Sequence, residues 1–87
     1  MKYLVFRYAD TDMERLYIFP ESEKHADFTS RFNPEWKAIR GGMIQLVVDG
    51  YDSTTRIHIY GEAFSLGLMP DKEKDLALVK MQLVDVE

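Results

Sequence analysis

The chain has 87 residues, of which 46% are hydrophobic and 30% charged, with a net charge of −4. That composition belongs to a folded globular domain and excludes a disordered segment. The acidic balance disfavours non-specific nucleic-acid binding, which needs phosphates neutralised by Lys and Arg. The absence of cysteine excludes disulfides, thiolate metal sites and cysteine nucleophiles.

The length fits one domain spanning residues 1–87. A chain of this size buries roughly 60–65% of its unfolded surface, which leaves little room for an enclosed active-site cavity. A small domain without disulfide staples points to a cytoplasmic protein. The start, Met1 to Arg7, offers too short an apolar run for a signal peptide or a membrane span, so no membrane contact is expected.

Residues 3–8, Tyr-Leu-Val-Phe-Arg-Tyr, read as a strand with Leu4, Phe6 and Tyr8 on one face. Asp10, Thr11 and Asp12 are turn formers. Residues 14–19 form a second strand, with Leu16 and Ile18 on one face and Tyr17 and Phe19 on the other. The short link predicts a hairpin. Ser22 is an N-cap candidate for a helix over residues 23–32, whose stripe is His25, Phe28 and Phe32. Asn33-Pro34 stops that helix.

Residues 34–42 are expected to form a connection with a helical turn around residues 35–39, broken by Gly41-Gly42. Residues 43–48 form a third strand, apolar on both faces and therefore central. Asp49-Gly50 opens a turn that continues through Thr54. Residues 55–60, Thr-Arg-Ile-His-Ile-Tyr, alternate as a fourth strand that sets Arg56, His58 and Tyr60 opposite Ile57 and Ile59. Residues 62–66 either extend it or start a fifth strand. Pro70-Asp71 opens a second helix with Asp71 as N-cap and Leu76, Val79 and Leu83 as its core stripe, supported by Ala77. Residues 84–87 are read as a frayed tail. The expected fold is α+β: a small antiparallel sheet of four or five strands with two helices on one face, in the order β-β-α-β-β-(β)-α.

Few residues carry a chemical signal. Arg56, His58, Tyr60 and Glu62 make a candidate binding row, since Tyr and Arg are common contact anchors; the bland alternative is an ordinary solvated sheet face. Trp36 either caps the core or stands exposed beside Lys37 and Arg40. Together with Arg31 these form the least acidic stretch, which would suit a nucleic-acid-binding accessory protein. His25 is either a core-edge histidine with a hydrogen-bond partner or a ligand contact. Ser65 with His58 as base would make a small hydrolase, but no nucleophile-elbow pattern surrounds the serine, so no catalytic residue is expected. Asp49, Asp52 and Ser53 contain the acids of a calcium loop without its bidentate glutamate. No metal and no cofactor are expected.

The run Tyr60-Gly61-Glu62-Ala63-Phe64-Ser65-Leu66-Gly67-Leu68, followed by Asp71 and the Asp75-Leu76-Ala77-Leu78 helix, resembles small uncharacterised phage and prophage proteins. Those carry a Y-G-x-S-x-S-L-G-L strand end before a short C-terminal helix. The His25-Ala26-Asp27-Phe28 helix and the Gly41-Gly42 step are similar too. The first serine of the pattern is Ala63 here. The resemblance implies a phage-derived accessory protein and no activity. The expected function is therefore a non-enzymatic module that binds an unidentified protein partner. A homodimer is also expected; Tyr3, Val5, Tyr17 and Phe19, on the sheet face away from Leu4, Phe6, Leu16 and Ile18, would make either its interface or the partner's site.

Overall fold

The computed structural model describes residues 1–48 and 55–85, with side chains for residues 1–47 and 56–82. Four strands, β1 (Lys2–Tyr8), β2 (Glu14–Phe19), β3 (Trp36–Val48) and β4 (Thr55–Tyr60), form one antiparallel sheet in the order β2-β1-β3-β4. The helices are α1 (His25–Ser30) and α2 (Lys72–Asp85), and a 3-10 turn covers Phe64–Leu66. The α+β class and the antiparallel sheet agree with the sequence reading. The turn expected at Asp49–Thr54 lies outside the described residues, as do Val86 and Glu87.

The β1–β2 hairpin closes on the expected turn formers. Asp10 takes a left-handed φ of 61°, and the Thr11 hydroxyl donates to the Tyr8 carbonyl at 2.9 Å. The register then pairs Leu4 with Tyr17 and Val5 with Leu16. Cross-strand partners share a face. One face of the sheet therefore carries Tyr3, Val5 and Leu16, and the other Leu4, Phe6 and Phe19.

This corrects the expected layering. The two helices lie on opposite faces, not on one. Leu78 and Val79 of α2 pack with Tyr3, Val5, Leu16, Ile44 and Ile59. Phe28 of α1 and Phe32, just past its end, pack with Leu4, Phe6 and Phe19. The face proposed for a dimer does not exist as drawn, because Tyr3 and Val5 face away from Tyr17 and Phe19 and all four are built into the monomer. Both faces of β1 are apolar, so two separate layers are needed to cover it.

The α1 layer is aromatic. Phe6 stacks on Phe32 at 4.0 Å between centroids, and Phe19 stacks on Phe28 at 4.4 Å. These pairs place the helix, which is too short to hold itself. It is shorter than the expected 23–32 span and is preceded by Lys24, not capped by Ser22.

Residues 36–42, expected as a connection, are the first half of β3. A bulge between Ala38 and Arg40 shifts the register against Val5 and Phe6. Gly41 and Gly42 do not break the strand. A Cβ on Gly41 would come within 2.7 Å of Leu4 Cδ2, and one on Gly42 within 2.9 Å of the Tyr60 carbonyl oxygen. The glycines are there for close approach. Residues 62–66 form neither an extension of β4 nor a fifth strand; Gly61 turns with φ 67° and the 3-10 turn follows, closed by an Ala63–Leu68 bridge.

Helix α2 crosses the sheet from β4 to β2. It runs through Asp85, past the point where fraying was expected. It is held by polar chemistry as well as by its apolar stripe. Asp75 is completely buried and accepts from Tyr3 Oη at 2.6 Å and from Arg40 Nε at 2.7 Å. The Asp71 backbone N–H donates to the same carboxylate at 3.1 Å. Arg40 also pairs with Glu14. Burial works against the Arg40 charge, and the two carboxylates outweigh it. The Arg40 hydrogen bond holds the Glu14 carboxyl below its ordinary value. Burial and the Asp75 bond push the Tyr3 hydroxyl far above the tyrosine range, so it stays a donor. One turn before its end, α2 sends Gln82 to the outer edge of β2. Its side-chain amide accepts from the Leu16 N–H at 2.8 Å and donates to the Leu16 carbonyl at 2.9 Å.

Candidate functional site

The aromatic face of the sheet is only partly covered. Beyond Gly42 it carries Met43, Gln45 and Val47 on β3, opposite Tyr60, His58 and Arg56 on β4. Beside the first residues of α1 and of the 3-10 turn lies an open cleft of about 400 Å³. Its apolar lining is Met43, Tyr60 and Phe64, and Phe64 is 81% exposed. Lys2, Lys24 and Glu62 bring charge to it, and His25 and Ser65 complete it. Lys2 is held in place by donating from Nζ to the Glu23 carbonyl at 2.8 Å.

The structure brings together the row expected on β4. His58 stacks on Tyr60 with centroids 5.3 Å apart, Arg56 is exposed one step along, and Glu62 lines the same cleft as Tyr60. Trp36 and Arg40 do not join them. Trp36 is half-buried, packing edge-on to Tyr8 at 5.1 Å beside a separate shallow groove. Arg40 lies on the opposite face, engaged with Asp75 and Glu14. As a surface binding residue it is corrected: its charge is spent inside the fold. Arg31 pairs with Glu23. Among the described residues only Lys37 of the basic segment is exposed and outside any ion pair, so the segment does not form a basic surface.

His25 is buried, with Nε2 3.0 Å from the Gly42 carbonyl oxygen and its ring edge-on to Phe19. A ring nitrogen that bonds a carbonyl must carry the proton. Burial holds this histidine below the ordinary imidazole range, with the Lys2 charge adding to it and the Gly42 bond opposing. The folded state therefore resists its protonation, and its contribution to stability is present above the unfolded histidine pKa and lost as pH falls. We expect the melting temperature to drop between pH 7.5 and 5.5, and the drop to shrink in His25→Gln. Equal slopes in the two proteins would show that another group is responsible.

Ser65 has a structural task. Its hydroxyl accepts from the Ala26 backbone N–H at 3.0 Å, supplying the cap that Lys24 does not offer α1. The structure thus ties Ser65 to α1 and His58 to Tyr60, and forms no Ser65–His58 hydrogen bond among the described residues. Asp49, Asp52 and Ser53 lie outside the described residues. Among the described ones, no three His, Asp or Glu side chains group as a metal site, and no helix is long and apolar enough to cross a membrane.

Sequence reading missed Lys2, Lys24, Met43 and Phe64. Phe64 carried a usable signal: an aromatic residue between Gly61 and Gly67, outside any alternating run. Lys2 and Met43 meet only through the β1–β3 register, where they are direct partners.

Comparison with protein-family models, curated proteins and solved structures finds no match. What the fold and the cleft define is a class: an antiparallel sheet covered by a helix on each face, with one bare stretch of sheet opening into an apolar, charge-rimmed cleft.

Proposed function

We propose that the chain is a non-enzymatic protein-interaction module that takes a segment of a partner protein into the Met43–Tyr60–Phe64 cleft. The observation that carries this is Phe64, a large apolar side chain left 81% exposed at the mouth of a cleft of about 400 Å³. Exposed aromatic groups around a concave surface are typical anchors for partners. Lys2 and Lys24 suit a segment that sets an acidic group beside an apolar one. The His58–Tyr60 stack and Arg56 extend the surface along β4. The engagement of Ser65 and the burial of His25 favour binding over catalysis. A phage or prophage origin is part of the proposal and rests on the Tyr60–Leu68 motif. So is a cytoplasmic setting, which rests on the cysteine-free sequence.

The test places a photo-crosslinking phenylalanine at position 64 and, as a remote control, at exposed position 15 on β2. Irradiation in the native cytoplasm is expected to give one protein adduct from position 64, reduced at least about tenfold by Tyr60→Ala, in line with the loss of an aromatic anchor. Equal labelling from both positions, or labelling indifferent to Tyr60→Ala, would sink the proposal.

A further inference from the structure

The sheet has two edges, and they are not equivalent. In an antiparallel ladder, successive residues turn their N–H and C=O groups to alternate sides. On β2, Leu16 points outward, and the Gln82 amide already occupies both of its backbone groups. A strand approaching β2 would have to displace that side chain.

On β3, Ile44 exchanges backbone bonds with Met1, on the β1 side. Met43, Gln45 and Val47 therefore turn toward β4 and bond to their partners Tyr60, His58 and Arg56. The intervening Ile57 and Ile59 must present their N–H and C=O groups to the outside. Among the described residues no backbone group bonds to this outer side. It carries neither proline nor a bulge; the charges beside it are Arg56 on the strand and Lys72 of α2, which borders Ile57 and Ile59.

From this geometry we infer that β4 pairs antiparallel with β4 of a second copy, across a two-fold axis at His58. This goes beyond the cleft reading: it rests on the backbone edge of β4, and the Arg56, His58, Tyr60 and Glu62 side chains that line or extend the cleft also line the seam. In that register Ile57 of each copy faces the partner's Ile59, so the two outward-pointing residues exchange their backbone bonds completely. The strand is self-complementary in side chains as well. Ile59 is already buried in its own core, so the apolar contact across the seam is made by half-buried Ile57, beside Leu46, which is 38% exposed. On the other face Arg56 sits opposite the partner's Tyr60, within reach of the partner's Glu62 one step further on. Glu62 stays beside Tyr60 because both line the same cleft. The two-fold axis makes that opposite-charge contact twice. An unrelated strand would have to supply the same alternation and charge by chance; a second copy supplies both. The dimer would be a continuous eight-stranded sheet with the two Arg56–His58–Tyr60 rows side by side.

The chain has no cysteine, which gives a direct test. At the axis, His58 and the partner's His58 form a non-hydrogen-bonded pair with Cβ atoms about 4.5–5.5 Å apart, close to disulfide range. Under mild oxidation His58→Cys is expected to form a linked dimer at least tenfold faster than Arg15→Cys on β2, at a position that, like His58, is exposed. Wild-type protein should show twice the 10.2 kDa chain mass by light scattering at high concentration. Arg56→Glu should weaken the dimer at least tenfold, and adding Glu62→Arg should restore it. A monomer at millimolar concentration would overturn the inference. So would a dimer in which His58→Cys links no faster than Arg15→Cys, since that dimer would use another surface.

Discussion

Asp75→Asn is expected to lower the unfolding free energy by about 3–5 kcal/mol, the usual cost of breaking a buried ion pair from one side. A domain of this length has roughly 4–13 kcal/mol in all, at about 0.05–0.15 kcal/mol per residue. The melting temperature should fall by at least ~12 °C. The size of the effect follows from burial. The carboxylate has no exposed surface and anchors Tyr3 of β1, Arg40 of β3 and the Asp71 backbone at the start of α2. Arg40 keeps Glu14, but that bond reaches a partly exposed group. Arg40→Met should cost a similar amount, because it strands the Asp75 charge. The double variant Asp75→Leu with Arg40→Met should lose clearly less than Asp75→Leu and Arg40→Met measured singly and summed, since no fully buried charge is left unpaired; Glu14, which loses Arg40, is partly exposed. Losses that add to within about 0.5 kcal/mol would show that the two groups act independently, and the network account would fail.

That network also shows where sequence reading stops. Arg40 sits in a locally basic stretch and reads as a surface cation; its partner is 35 residues away and meets it only when α2 crosses the sheet. One signal was available. Asp75, Val79 and Gln82 stand at i, i+4 and i+7, so the two polar side chains share the helix face with a core residue. Polar residues on an apolar stripe are reasons to look for buried partners. β4 was legible because its polar and apolar residues alternate with period two, and β1 and β2 because short apolar runs rich in aromatic and branched residues end at turn formers. Which faces coincide was not, because alternation within a strand leaves its register against the next strand open. A one-residue slip exchanges every side chain between faces. The sequence reading set Leu4 beside Leu16; the hairpin sets it beside Tyr17, and the placement of both helices follows from that step. Gly41-Gly42 misled for a related reason. Locally the pair reads as a breaker, but it is required by contacts with Leu4 and with the Tyr60 carbonyl, both distant in sequence.

Two phenylalanines separate stability from binding. Phe6 has no exposed surface, stacks on Phe32 and meets Tyr17 edge-on at 5.8 Å. Phe6→Ala is expected to cost about 3–5 kcal/mol, the range for emptying a buried aromatic site. Its loss removes the floor against which Phe28 and Phe32 hold α1. Amide exchange should therefore quicken in α1 before it does in α2, which packs on the other face. Phe64→Ala should change stability by no more than about 0.5 kcal/mol, since the side chain is 81% exposed. The same substitution should abolish capture of the cleft's partner. Chemical denaturation and partner capture, measured on both variants, decide the matter. If Phe64→Ala destabilised the fold by about 2 kcal/mol, as a core truncation does, its side chain would be a packing element and not an anchor. If it left both stability and capture intact, the exposed aromatic would have no role in binding, and the cleft reading would lose the observation on which it rests.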